Sequence, residues 1–238
     1  MDRTQSVVTP ERFLKGMTFG QYVAYAGTPE NLKREASGGA VRRDWSDYLR
    51  VAYAAARLSA AQADAVRWLT AQSNGPAKIL VLSEEWSSDC RRDVPMLARL
   101  AEAGGMELRI FRRDGQRFSR SQRPSLAEAP DSNADIMAEF LNEKNGQVWQ
   151  SIPVAVFYTK DLEYLYHYIE YPAIYRKDRV VGVLRAARPG EPPEETQKRG
   201  ERAFFAMLDS PFVRVWACAA VDEMLSALHE RLVVGSLA

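Results

Sequence analysis

Apolar residues recur every three to four positions through residues 9–73, a spacing that predicts one helix after another. Thr9-Pro10-Glu11 and Thr28-Pro29-Glu30 each read as an N-cap followed by proline at the first helical position. Ser37-Gly38-Gly39 breaks the pattern as a C-cap and turn. Trp45, Tyr48, Leu49, Val51, Ala52, Ala55 and Leu58 then predict a buried helical stripe, and Ser59 caps a further helix ended by Asn74-Gly75-Pro76.

The pattern changes after Pro76. KILVLS, residues 78–83, is a short branched apolar run bounded by turn signals, and so a buried strand. Helical spacing follows over 87–103 and is stopped by Gly104-Gly105; residues 106–111 form a second strand. The polar stretch 114–130 reads as a loop, and a loop that long inside a compact domain is expected to be functional or mobile. Residues 131–142 are predicted helical. Two strands come next, 154–159 and 163–171, joined by a tight turn at Lys160-Asp161. From Ile174 the chain is helical apart from a linker over 188–193. Strand, helix, strand, helix, strand, strand predicts a mixed α/β sheet covered by helices. The expected organisation is a single domain over 1–238: a helical N-terminal extension (1–76), a core (77–172) and a helical C-terminal extension (173–238).

Composition narrows the chemistry. Of 238 residues, 46% are hydrophobic and 26% charged, and the formal net charge is +1, so no global field recruits nucleic acid or an anionic membrane. The basic run RIFRR, 109–113, is expected to supply strand-end and loop charges. Two cysteines, Cys90 and Cys218, are too few for a disulfide framework, and with two histidines, His167 and His229, they give no zinc spacing. No metal or other cofactor is expected. MDRTQSVVTPERF lacks an apolar segment of signal-peptide length, and nothing approaches the roughly 18 unbroken apolar residues of a membrane span. A reducing cytoplasm is the expected compartment.

The residues that carry chemistry are WSSDCRRDVP, 86–95, directly after the first strand. Together with Ser151-Ile152-Pro153 ahead of VAVFY, this segment resembles the thioredoxin family. In that family a strand runs into Trp-Cys-x-x-Cys at a helix start, a proline follows five residues after the second cysteine, and a cis-proline opens the strand beside the site. The resemblance covers 77–172 and implies a thioredoxin-like α/β fold. It places Trp86 at the tryptophan, Cys90 at the second cysteine, Pro95 at the helix proline and Pro153 at the cis-proline. Glu84-Glu85-Trp86 with Asp89 looks most like a bacterial subgroup of uncharacterised thioredoxin-like proteins.

Two parts of the family's dithiol machinery are replaced. Ser87 stands where the nucleophilic cysteine belongs, and Val81 where a buried acid assists proton transfer. A hydroxyl with no adjacent base does not replace a thiolate in disulfide exchange. Three readings stay open. Cys90, in the first turn of a helix with Arg91 and Arg92 adjacent, acts as a single thiol on protein or peptide thiols and disulfides or on glutathione, with Ser87 shaping the site. Alternatively the protein is a redox-inactive adaptor that binds peptides between Trp86 and Ile152-Pro153, with Cys90 a buried structural residue and Ser87 an N-cap. A third reading follows from Ser87-Ser88-Asp89-Cys90, which resembles the Thr-x-x-Cys of peroxiredoxin-type thiol peroxidases. Cys218 is either a resolving thiol or a small core residue. Glu84 and Glu85, adjacent at a strand end, are expected at a solvated edge.

Overall fold

The computed structural model describes residues 6–235; residues 1–5 and 236–238, at the outer ends of the two expected extensions, lie outside it. The N-terminal third is helical: α1 (Pro10–Leu14), α2 (Phe19–Ala26), α3 (Pro29–Leu32), α4 (Ser46–Ala55) and α5 (Ala60–Thr70). The starts are capped as the sequence indicates. Thr9 and Thr28 accept from the N–H groups of Arg12 and Asn31 ahead of their prolines, and Thr18 and Ser59 form reciprocal capping boxes with Gln21 and Gln62.

The core strands are β1 (Lys78–Ser83) and β2 (Glu107–Arg112), joined by α6 (Ser88–Gly104). Gly105, left-handed at φ 65°, ends α6, and the N–H of Met106 returns to the carbonyl of Ala101 at 2.8 Å. After α7 (Ala134–Ala138) come a small hairpin, β3 (Asn142–Lys144) and β4 (Gln147–Trp149), and then β5 (Val154–Tyr158) and β6 (Tyr164–Ile169). The main sheet runs β2-β1-β5-β6, with β1 parallel to β2 and the other neighbours antiparallel. Ile79 through Leu82 are wholly buried, as a strand covered on both faces requires. The chain closes with α8 (Lys177–Arg185), α9 (Pro193–Leu208) and α10 (Phe212–Gly235).

The flanking helices share one hydrophobic cluster with the sheet. Phe13, Tyr22 and Leu49 join it from the N-terminal side, and Val221, Met224 and Leu228 from α10. The segment after α1 also pairs with the open edge of β2: Met17 and Ile110 exchange both backbone hydrogen bonds, at 2.8 and 2.7 Å.

Four local expectations are corrected. The helix expected over 131–142 is limited to α7, because the chain turns at Asn145-Gly146, both at positive φ (53° and 72°), to make the β3–β4 hairpin. Of the stripe from Trp45 to Leu58 only Leu49 is buried; Tyr48 and Val51 are exposed, since α4 lies at the surface and turns one side inward. Glu84 and Glu85 are not at a solvated edge: both are buried against arginines from the N-terminal segment. Within 109–113, Arg113 is buried and paired with Asp114.

Candidate functional site

Strand β1 delivers the chain at Ser83 into a turn closed by the N–H of Ser87 to the carbonyl of Glu84 (3.1 Å). Ser87 is the N-cap of α6, its Oγ accepting from the N–H of Cys90 at 3.5 Å. The hydroxyl at the position of the family's first cysteine therefore supports the helix start. The Ile152–Pro153 bond that opens β5 is cis.

Cys90 lies beneath this turn, 1% exposed. Burial pushes its thiol up to about 12; hydrogen bonds with Ser83, the Glu84 backbone and Ser87 pull the other way without offsetting it, and Asp89 adds to the rise. The two arginines expected to favour a thiolate are engaged elsewhere. Arg91 stacks on Trp45, its guanidinium carbon 3.7 Å from the ring centre, and donates to the carbonyls of Glu85 and Trp86 at 2.8 and 2.7 Å. Arg92 holds Asp93 with two hydrogen bonds (2.7 and 2.6 Å) and Asp89 with a third (2.7 Å). Cys218 is half-buried in α10 and borders a different groove, beside α4 and α6, and neither cysteine is in a disulfide.

Over the turn lies a groove of about 430 Å³ lined by Trp86, Ser87 and Ile152, together with parts of the 114–130 loop and the β3–β4 hairpin. Cys90 and Pro153 are not among its lining residues. The loop is tied down as one wall. Phe118 meets Trp86 edge-on (5.6 Å between centroids), and the Arg113 guanidinium lies 5.5 Å and 5.0 Å from the two rings. The Gln150 amide donates to Ser119 Oγ (2.7 Å) and to the carbonyl of Ser121 (2.8 Å).

Two buried charge clusters frame the groove. On one side Arg34 and Arg42 clasp Glu84 (2.7 and 2.8 Å), and Arg42 also holds Glu85 at 2.6 Å. Burial raises the Glu84 carboxyl, but the two guanidinium groups outweigh it and hold the pKa below the usual glutamate value. On the other side Lys177, from the start of α8, bridges Asp89 and Glu170. Burial opposes the lysine's charge and the two carboxylates overcome it, so its pKa is raised. Lys144 donates to Glu170 at 2.8 Å, and Tyr168 donates to Asp93 at 2.8 Å. These clusters were invisible to short-range patterning because their members are far apart in the chain; the hairpin, by contrast, had a signal in Asn145-Gly146.

Among the described residues no group of three or more His, Cys, Asp or Glu is placed to hold a metal ion, and no single helix is long and apolar enough to cross a membrane. His167 is bonded through Nδ1 to the Tyr164 hydroxyl (2.6 Å), and His229 packs on Trp68.

A family model described as Thioredoxin matches residues 40–129, a span running from before α4 through β1, α6 and β2 into the groove-wall loop. With the mixed sheet and its covering helices, this match shows a thioredoxin-like domain in this part of the chain. No curated protein matches it. Among solved structures it is similar to a protein of unknown function, PA1234, from Pseudomonas aeruginosa. The identity is 14% and the TM-score 0.51, over 94% of this chain and 98% of that one. An HIV epitope-scaffold is similar to the same degree: 14% identity, TM-score 0.50, 95% and 99% coverage. Both likenesses concern the fold, and they extend over the helical extensions as well as the sheet.

Proposed function

We propose that this protein is a thioredoxin-fold binding module whose groove receives an extended peptide segment of a partner and whose cysteine is structural. One observation carries the reading: the thiol at the family's second cysteine position is sealed from solvent and its pKa is pushed up to about 12, while the groove above it is open. Thiol–disulfide exchange and peroxide reduction both need a reachable thiolate. At neutral pH a group with so high a pKa is almost entirely protonated, and Ser87 is committed to capping the helix. The parts that recognise a chain are retained. Trp86 and Ile152 both line the groove, and the backbone of Ile152, ahead of the cis-proline, is the position where the family pairs with an extended substrate.

The test is peptide binding in matched variants. Cys90→Ala is expected to bind extended peptides as the wild type does, and Trp86→Ala to lose most of that binding while remaining folded. A mixed disulfide formed at Cys90 in the native protein, or binding that disappears in a folded Cys90→Ala variant, would contradict the reading.

A further inference from the structure

Resting on that reading of the groove, we infer that the segment it takes is acidic, an extended chain whose acidic side chains alternate with apolar ones. The charged residues lining the groove are Asp89, Arg113, Arg120, Glu170 and Lys177. Four of these are internally compensated. Asp89 is shared between Arg92 and Lys177, Glu170 between Lys144 and Lys177, and Arg113 is held by both oxygens of Asp114 (2.9 and 2.8 Å). Among the described residues Arg120 has no such carboxylate. It is exposed, and its recorded contact is the face of Phe118, 6.0 Å from the ring centre.

Arg117 and Arg123 flank it on the same loop, both exposed and, among the described residues, without an ion pair. The carboxylates that approach the loop are bound to its backbone: Glu35 accepts from the N–H of Phe118 (3.1 Å) and Asp131 from that of Gln116 (2.7 Å). Of these three arginines Arg120 is the one that lines the groove, so the groove wall presents one uncompensated cation over a floor whose charges cancel.

The remaining lining supplies the second half of the specificity. Trp149 is 51% exposed at the hairpin, and Trp86 is half-buried. The Trp86 indole N–H is shielded from solvent and has no acceptor among the described residues. Successive side chains of an extended chain point to opposite sides. Acidic residues would then meet the arginine wall while the intervening ones meet the tryptophans.

The test uses three labelled pools of dodecapeptides with randomised Val, Ile, Thr and Ser, differing only in whether alternate positions are fixed as Glu, Gln or Lys. Affinities are read by fluorescence polarisation at low and high salt, with a labelled oligo-dT strand alongside. The Glu pool is expected to bind about tenfold more tightly than the Gln pool, and the Lys pool more weakly than either. That preference should shrink as salt screens the arginines. Arg120→Glu should remove most of the preference, and Arg117→Glu with Arg123→Glu a smaller share. Equal binding of the Glu and Gln pools, or a preference that survives Arg120→Glu, overturns the acidic assignment and leaves the binding groove standing. Binding by none of the pools overturns both, as does Arg120-dependent binding of oligo-dT alone.

Discussion

Arg34 places a guanidinium nitrogen 2.7 Å from a carboxylate oxygen of Glu84, and both side chains are fully closed to solvent. The same guanidinium donates to the carbonyls of Gly115 (2.9 Å) and Asp114 (2.6 Å), so one arginine from the N-terminal segment fastens the end of β1 and the base of the groove loop. Removing one partner of a buried ion pair leaves an uncompensated charge. Arg34→Met is expected to destabilise the fold by about 3 kcal/mol. Adding Glu84→Gln should recover part of that loss, since it removes the stranded charge; chemical denaturation of the two variants measures both.

Glu170 gives a pH-dependent prediction. Burial raises its carboxyl, but Lys177 and Lys144 outweigh that and hold its pKa below the usual value of 4.5. A carboxylate with a lowered folded pKa stabilises above its unfolded pKa, and that contribution is lost as pH falls through the folded one. Glu170→Gln should therefore be less stable than the wild type at pH 7 by about 1–2 kcal/mol. The difference should narrow as pH falls from 4.5, where the unfolded chain takes up the proton, through the lower folded pKa, where the native side chain does. Urea titrations at several pH values follow this difference.

Phe118 holds the groove wall through its edge-on contact with Trp86. Phe118→Ala should lose about 1 kcal/mol of stability from that pair and its burial. It should also let trypsin cut the loop after Arg120 several-fold faster than in the wild type; Arg123 precedes Pro124 and is not a trypsin site. Timed limited proteolysis reads the change.

Gly146 sits at φ 72° in the β3–β4 turn with open space where a Cβ would be. The cost of Gly146→Ala is therefore backbone strain alone, about 1 kcal/mol. The affected hairpin carries Trp149, so weaker peptide binding should accompany the lower melting temperature.

Much of this architecture was legible in the chain. The buried run of β1, the stop at Gly104-Gly105 and the caps at Thr9, Thr28, Ser59 and Ser87 are local signals, and local sequence carries them. Trp86, Ser87 and Ile152 were legible as a group through the family resemblance, and the structure brings them to one groove. What could not be read was whatever depends on distant partners. Glu84 and Glu85 looked solvated because Arg34 and Arg42 lie 50 and 43 residues earlier, and nothing in their spacing pairs them. The charge near Cys90 was misjudged because its neighbours in the chain, Asp89 and Asp93, take up Arg92. Arg92 is also engaged by the carbonyl of Glu170 78 residues away, and so gives the thiol no help. The loop at 114–130 could be recognised, but its role as a wall depends on Gln150 reaching Ser119 and Ser121.

The most direct measurement is the rate of Cys90 alkylation in the native protein as a function of pH, in a Cys218→Ala background. A sealed thiol with a pKa pushed up to about 12 should be labelled only as fast as the protein opens, with no titration step below pH 9 and full labelling once denaturant is added. Rapid labelling of the folded protein with an apparent pKa below the ordinary thiol value of about 8.5 would contradict a structural cysteine and return the chain to single-thiol chemistry.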